Sequence, residues 1–131
     1  MLSQVMLGVR DFDRALAFYQ PLMQCLGLEQ RFCERSRPWA GWHSPGGARP
    51  LFIIASPFDG KAHQVGNGQM VALLAADRAT VNKAHALALG LGGRDEGAPG
   101  LRPQYHAHYW GAYFRDTEGN KLCVACHVET K

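Results

Sequence analysis

Between residues 102 and 113 the sequence gathers side chains that could grip a polar molecule: Arg102, Tyr105, His106, His108 and Tyr109, running into Trp110 and Tyr113. A guanidinium can fork onto a carboxylate or phosphate, while phenols and imidazoles donate or accept near neutral pH. This spacing suits an anion or polar-ligand site. It equally suits a structural task, because a long Gly- and Pro-containing loop needs an arginine and tyrosines to pin it to the body of the protein. Trp39, Trp42, Phe52 and Phe114 could line an apolar pocket for an aromatic or aliphatic ligand, or simply form core.

Other reactive residue types carry less. Cys123 and Cys126 spell C-x-x-C, but in an extended segment two side chains three residues apart point to opposite faces. A redox pair instead needs a helix N-terminus that lowers the thiol pKa. His43, His63, His85 and His127 stand at no ligand spacing from a carboxylate or cysteine and read as surface or satisfied polar residues, with His85 on the polar side of a helix.

The elements that must position these residues follow from periodicity. Gln4 to Val9 reads as a strand, and Asp11 as the N-cap of a helix whose apolar stripe is Leu16, Tyr19, Met23 and Leu26, stopped by Gly27. Pro21 inside that pattern predicts a bend or a break into two shorter pieces. Strands follow at Leu28 to Glu34, Trp39 to His43 and Leu51 to Ala55, the last apolar enough to be buried on both faces. Residues 56–68 are a Gly- and Pro-punctuated linker.

The order then repeats. Gln69 to Ala75 is a strand, Asp77 a second N-cap, and Val81, Ala84, Leu87 and Leu91 a buried helical stripe ended by Gly92-Gly93. A short strand at Arg94 to Glu96, a loop from Gly97 to about His108 and a closing hairpin complete the pattern. The hairpin turn is Asp116 to Asn120, where Gly-Asn tolerates positive φ. The chain is therefore an α+β domain of two β-α-β-β-β units: unit one about 1–56, linker about 57–68 and unit two about 69–127.

A length of 131 residues with 47% hydrophobic residues fits one compact domain and is short for two. The net charge of +3 comes from arginines scattered along the chain, so no stripe suited to nucleic acid forms. No apolar run approaches the roughly 20 residues of a membrane span, and the first nine residues lack a basic leader. Four cysteines without a disulfide framework agree with a reducing, cytoplasmic setting.

The aromatic strand, the Asp-x-x-Gly-Asn turn and the apolar strand of Gly111 to His127 resemble the last hairpin of the vicinal oxygen chelate superfamily, which includes glyoxalases, bleomycin-resistance proteins and extradiol dioxygenases. Val9-Arg10-Asp11 leading into Ala17-Phe18-Tyr19, Pro57-Phe58-Asp59-Gly60, Gly66-Asn67-Gly68 and Pro99 to His106 are similar to phrases of a bacterial branch of it. The resemblance implies a curved eight-stranded mixed sheet with a cleft, a homodimer and a small organic ligand.

It also implies metal ligands of His, Gln and Glu type on the first and last strands of each unit. The matching positions are Gln4, the strand around Ile53 and Ile54, Met70 or its neighbour Gln69, and Cys123. An amide, a thioether and a thiol make a poor set for a divalent ion, so the expectation is a degraded metal position and no cofactor. Arg102, Tyr105, His106, Tyr109, Trp42 and Phe52 are the expected ligand contacts. The alternatives are a divalent-metal-dependent lyase or glutathione-handling enzyme, with His106 or Cys123 completing the site, and an interaction module with a filled cleft.

Overall fold

The computed structural model describes residues 1–130. Its elements in chain order are β1 (Gln4–Gly8), α1 (Phe12–Cys25), β2 (Glu29–Glu34), β3 (Trp39–His43), β4 (Leu51–Ala55), β5 (Val71–Leu74), α2 (Arg78–Gly90), β6 (Arg94–Leu101), β7 (Trp110–Arg115) and β8 (Lys121–Cys126). The two units have the same topology. Sheet order is β1-β4-β3-β2 in the first and β5-β8-β7-β6 in the second, with β1 parallel to β4, β5 parallel to β8, and the remaining neighbours antiparallel. The eight strands thus form two mixed four-stranded sheets, with no hydrogen-bonded ladder joining them among the described residues and no closed barrel. No helix among those residues is long and apolar enough to cross a membrane.

Both helices start as the sequence predicts. The Asp11 carboxylate accepts from the Arg14 N–H at 3.1 Å and the Asp77 carboxylate from the Thr80 N–H at 2.7 Å, each satisfying a donor the helix leaves unpaired. Helix α1 ends where Gly27, at φ +75°, lets Leu28 N–H reach back to the Met23 carbonyl at 2.9 Å. The expected bend at Pro21 does not appear as a break, and α1 runs unbroken from Phe12 to Cys25. Tyr19, Leu22 and Met23, all buried, bracket Pro21, and their packing outweighs one missing amide.

Two other expectations are corrected. β6 continues through Leu101 instead of stopping at Glu96; it is the edge strand, where Pro99 forfeits no ladder hydrogen bond, and register shifts at Asp95/Gly97 and Gly97/Gly100 absorb the glycines. His85 faces inward on α2 beside Val81, Ala84 and Ala88, and its Nε2 lies 2.9 Å from an Asp95 carboxylate oxygen. That hydrogen bond, together with the Gly97 N–H, holds the Asp95 carboxyl below its ordinary range.

Alternation along the strands divides each sheet into two faces. Val5, Leu7, Ala40, Trp42, Phe52 and Ile54 of the first sheet, and Ala112, Phe114, Leu122, Val124 and Cys126 of the second, join the helices in one core that spans both units. Phe18 of α1 packs on Phe114 of β7 with ring centroids 6.2 Å apart. Burial of one such side chain contributes about 1.5–3 kcal/mol, and contacts of this kind hold the two units against each other. The opposite faces carry Met6, Leu51, Ile53, Phe32 and Trp39 in unit one, and Tyr113, Arg115, Lys121 and Cys123 in unit two.

A buried polar node fastens the hairpin turn to everything around it. One Asp116 carboxylate oxygen accepts from the N–H groups of Glu118 (2.8 Å) and Asn120 (2.9 Å), and the other from the Asn120 side-chain amide (3.0 Å) and the Tyr19 hydroxyl. The same Asn120 amide donates to the Gly8 carbonyl at 3.0 Å, and the Asn120 carbonyl oxygen accepts from His63 Nε2 at 3.0 Å. Strand β1, helix α1, the linker and the β7–β8 turn meet there. In that turn only Gly119, at φ +91°, takes positive φ; Asn120 does not, and the node explains its presence.

Burial, followed by the adjacent Asp116 charge, pushes the Tyr19 phenol well above its ordinary pKa of 10.0. The stability this contributes is complete below the unfolded-state pKa and is lost as pH rises beyond it, because the unfolded chain then sheds a proton that the folded chain keeps. Above pH ~10 the free energy of unfolding should fall by up to about 1.4 kcal/mol per pH unit from this residue. Urea melts of Tyr19→Phe across this range should show a shallower alkaline decline than wild type. Equal slopes would remove Tyr19 as the cause.

Candidate functional site

The open face of the second sheet is built by the β7–β8 register, which sets Tyr113 opposite Cys123 and Arg115 opposite Lys121. Over it runs the chain from Val65 to Met70, and a cavity of about 590 Å³ lies between the two. Tyr105 and Tyr113 give it aromatic walls, Asn67 and Gln69 line it, and Arg115 and Lys121 bring positive charge. Arg115 is already engaged, its Nε 2.7 Å from Glu96 and its Nη1 donating to the Gly119 carbonyl at 2.9 Å. The hydrogen bond from Arg115 holds the Glu96 carboxyl below its ordinary range. Lys121 forms no ion pair among the described residues, and its ammonium stands 5.7 Å from the Tyr113 ring centroid. Its charge also reaches the Glu96 carboxylate, which it helps to hold low.

Behind the cavity, Tyr109 folds back over β7. Its hydroxyl lies 3.1 Å from that of Tyr113 and 3.4 Å from the sulfur of Cys123, which is buried. The fold-back requires Gly111, since a Cβ there would come within 2.6 Å of the Tyr109 ring. Desolvation raises both phenols above their ordinary pKa, so they stand as neutral hydroxyl donors across the physiological range.

Among the six expected ligand contacts, Tyr105 alone lines this cavity, with its side chain largely exposed. Arg102 turns its guanidinium to the Ala98 carbonyl at 2.8 Å and sits 5.4 Å from the Tyr113 ring centroid, bracing β6 behind the cavity. His106 Nδ1 accepts the His108 N–H at 3.1 Å, which leaves the proton on Nε2 to be donated to His127 Nδ1 at 2.8 Å. That pair and Tyr109, packed on both rings, clip the β6–β7 loop to the chain after β8. Trp42 and Phe52 pack on Tyr19 on the helix side of the first sheet, and line a separate cleft of about 310 Å³ near Leu2 and Pro50. Lys121 and Arg115 escaped the sequence reading, while Gln69 entered it only as a neighbour of the implied metal position. The period of two would have found the first two, because each stands two residues from Tyr113 or Cys123 and so on the same face.

The profile of the Glyoxalase/Bleomycin resistance protein/Dioxygenase superfamily matches residues 1–124. This chain belongs to that superfamily. It is 31% identical to a glyoxalase/bleomycin resistance protein from Albidiferax ferrireducens T118, with a TM-score of 0.85 over 96% of this chain and 98% of that one. Fold likeness extends to lactoylglutathione lyase from Agrobacterium tumefaciens (20% identity, TM-score 0.63, 96% and 92% covered). It extends also to the fosfomycin resistance protein FosX from Listeria monocytogenes (16% identity, TM-score 0.68, 98% and 93% covered). No curated protein matches the chain.

The metal position that membership implies can be tested on its donors. The Gln4 side-chain oxygen already accepts from Arg49 Nη1 at 3.1 Å and Ser3 Oγ at 2.7 Å. Ile53 offers only hydrocarbon, Met70 a partly exposed thioether, and Cys123 a buried thiol with the Tyr109 hydroxyl against it. Asp11 and Asp77 stand equally far along the chain from Gln4 and Met70, which supports Met70 over Gln69 as the counterpart in unit two. No group of three His, Cys, Asp or Glu side chains converges among the described residues. This donor set does not fit a hard or borderline divalent ion of the kind held by imidazole and carboxylate.

Proposed function

We propose that this superfamily member binds a small anionic organic molecule in the second-unit cavity, through Lys121 and Tyr113 with Tyr105 as an aromatic wall, and without a metal at the superfamily's position. The observation that carries the reading is Lys121, a cation in no ion pair at contact distance among the described residues, at the edge of a 590 Å³ cavity walled by two tyrosines. A cavity of that size suits a molecule of drug-like dimensions. Two fold relatives are named for small molecules, lactoylglutathione and fosfomycin, which supports a ligand of this class. Arg102, His106 and Tyr109 serve the ligand from behind by fixing Tyr113 and the loop that carries Tyr105. The protein acts as a homodimer in this reading, supported by Met6 and Leu74, 56% and 71% exposed, whose burial a second copy would provide. Four unpaired thiols support a cytoplasmic setting.

The test is fluorescence of 8-anilinonaphthalene-1-sulfonate, an aromatic anion, with phenylphosphonate and neutral benzyl alcohol as competitors. Phenylphosphonate should displace the dye and benzyl alcohol should not. Arg102→Ala should weaken phenylphosphonate about two- to fivefold, the worth of one cation–π support, with the fold intact. No displacement in wild type would reject the reading. Unfolding of Arg102→Ala would make Arg102 a loop anchor alone.

A further inference from the structure

Three proton-bearing atoms meet at the base of the second-unit cavity, and their hydrogens can be assigned. The Tyr109 hydroxyl has both Cys123 Sγ, at 3.4 Å, and the Tyr113 hydroxyl, at 3.1 Å, within reach, but it has one hydrogen to give. If Tyr109 donates to sulfur, the strong donor is spent on a weak acceptor and the buried S–H is left with no partner. If instead the thiol donates to Tyr109 and Tyr109 donates to Tyr113, each acceptor is an oxygen and each buried hydrogen is used. The Tyr113 hydrogen then has two places to go, the Cys123 sulfur opposite it on β8 and the cavity that Tyr113 lines beside Lys121; an anion's oxygen there is a far stronger acceptor than the sulfur. Gly111 and Gly97 keep this arrangement possible: a Cβ on the first would strike the Tyr109 ring, and one on the second would come within 3.2 Å of Tyr113.

We infer that the Tyr113 hydroxyl, oriented through Tyr109 by the buried Cys123 thiol, donates the hydrogen bond that fixes an oxyanion next to Lys121. At a position where the superfamily implies a metal-binding carboxylate, this chain holds the start of a hydrogen-bond relay, and the ligand oxygen meets an O–H where a relative would offer it a metal ion. Tyr113 contacts the ligand; Tyr109 and Cys123 are positioning residues. The inference rests on the anion-binding reading of this cavity. It adds a preference for oxyanion acceptors such as carboxylates, phosphonates and sulfonates over anions that accept hydrogen bonds poorly.

The S–H stretching band of Cys123, isolated by infrared difference between wild type and Cys123→Ala, reads the relay directly. Addition of phenylphosphonate to wild-type protein should shift that band, because an anion drawing on Tyr113 strengthens each bond behind it. Tyr109→Phe should shift the band toward that of a free thiol and weaken phenylphosphonate about threefold, and Tyr113→Phe should weaken it about tenfold. Wild-type binding with an unmoved band, and Tyr113→Phe binding as wild type does, would overturn the relay and leave the anion site standing. Absence of phenylphosphonate binding to wild type would reject the anion site itself, and the relay with it.

Discussion

Replacing Asp116 by alanine should cost about 4 kcal/mol of folding stability, the sum of two or more buried donors left without an acceptor. Its carboxylate accepts four hydrogen bonds, from the Tyr19 hydroxyl, the Glu118 and Asn120 N–H groups and the Asn120 side-chain amide. Tyr19 is wholly buried and Asn120 nearly so, so water cannot replace the lost acceptor without opening the core. Against a total stability of about 5–15 kcal/mol for a domain, such a loss leaves a protein close to unfolding at growth temperature. Asp116→Asn retains one acceptor oxygen and should cost roughly half as much, since its amide must face donors on one side. Urea unfolding is the measurement: the midpoint should fall with an unchanged slope. A loss for Asp116→Ala below about 1 kcal/mol would mean that the node is solvated and is not what ties the turn to α1 and β1.

Charge reversal at Lys121 should have the largest effect on ligand binding. Lys121→Glu places a carboxylate where the anion must sit, and like-charge juxtaposition costs several kcal/mol, so phenylphosphonate affinity should fall by about 100-fold or more. Lys121→Gln removes the attraction without adding repulsion, and about tenfold is expected. Lys121 begins β8 at the turn, partly exposed and outside any ion pair among the described residues, so both variants should fold. Equal affinities in wild type and Lys121→Glu would place the anion elsewhere. Arg115 is the weaker candidate for that role because Glu96, 2.7 Å away, already answers its charge.

Much of the framework was legible in the sequence because it rests on local rules. Asp11 and Asp77 cap their helices, Gly27 ends the first, and β3 and β4 begin and end at the predicted residues. The departures have tertiary causes. Pro21 sits in a helix that packing keeps unbroken, Pro99 lies in an edge strand that needs no amide there, and His85 is drawn inward by Asp95 on a strand that the sequence ended sooner. At the site, the loop cluster from Arg102 to Tyr109 was visible by residue type, but its geometry was not. Residue type could not show that Arg102 would turn to the Ala98 carbonyl, or that His106 would find His127 twenty-one residues on. Lys121 is a different case: its residue type marks only the exit of a turn, and its place on the face of Tyr113 follows from the β7–β8 register, which pairs residues across the hairpin.

The second-unit cavity should take an organic anion by side-chain donors, without a metal ion. Calorimetric titration of phenylphosphonate into chelator-treated wild-type protein tests it most directly, repeated after adding Ni²⁺ or Zn²⁺. One binding event per chain is expected in the metal-free protein, with an affinity that neither ion changes. Binding that appears only once a metal ion is added would contradict the claim, since Gln4, Met70 and Cys123 would then be holding a metal that their chemistry argues against.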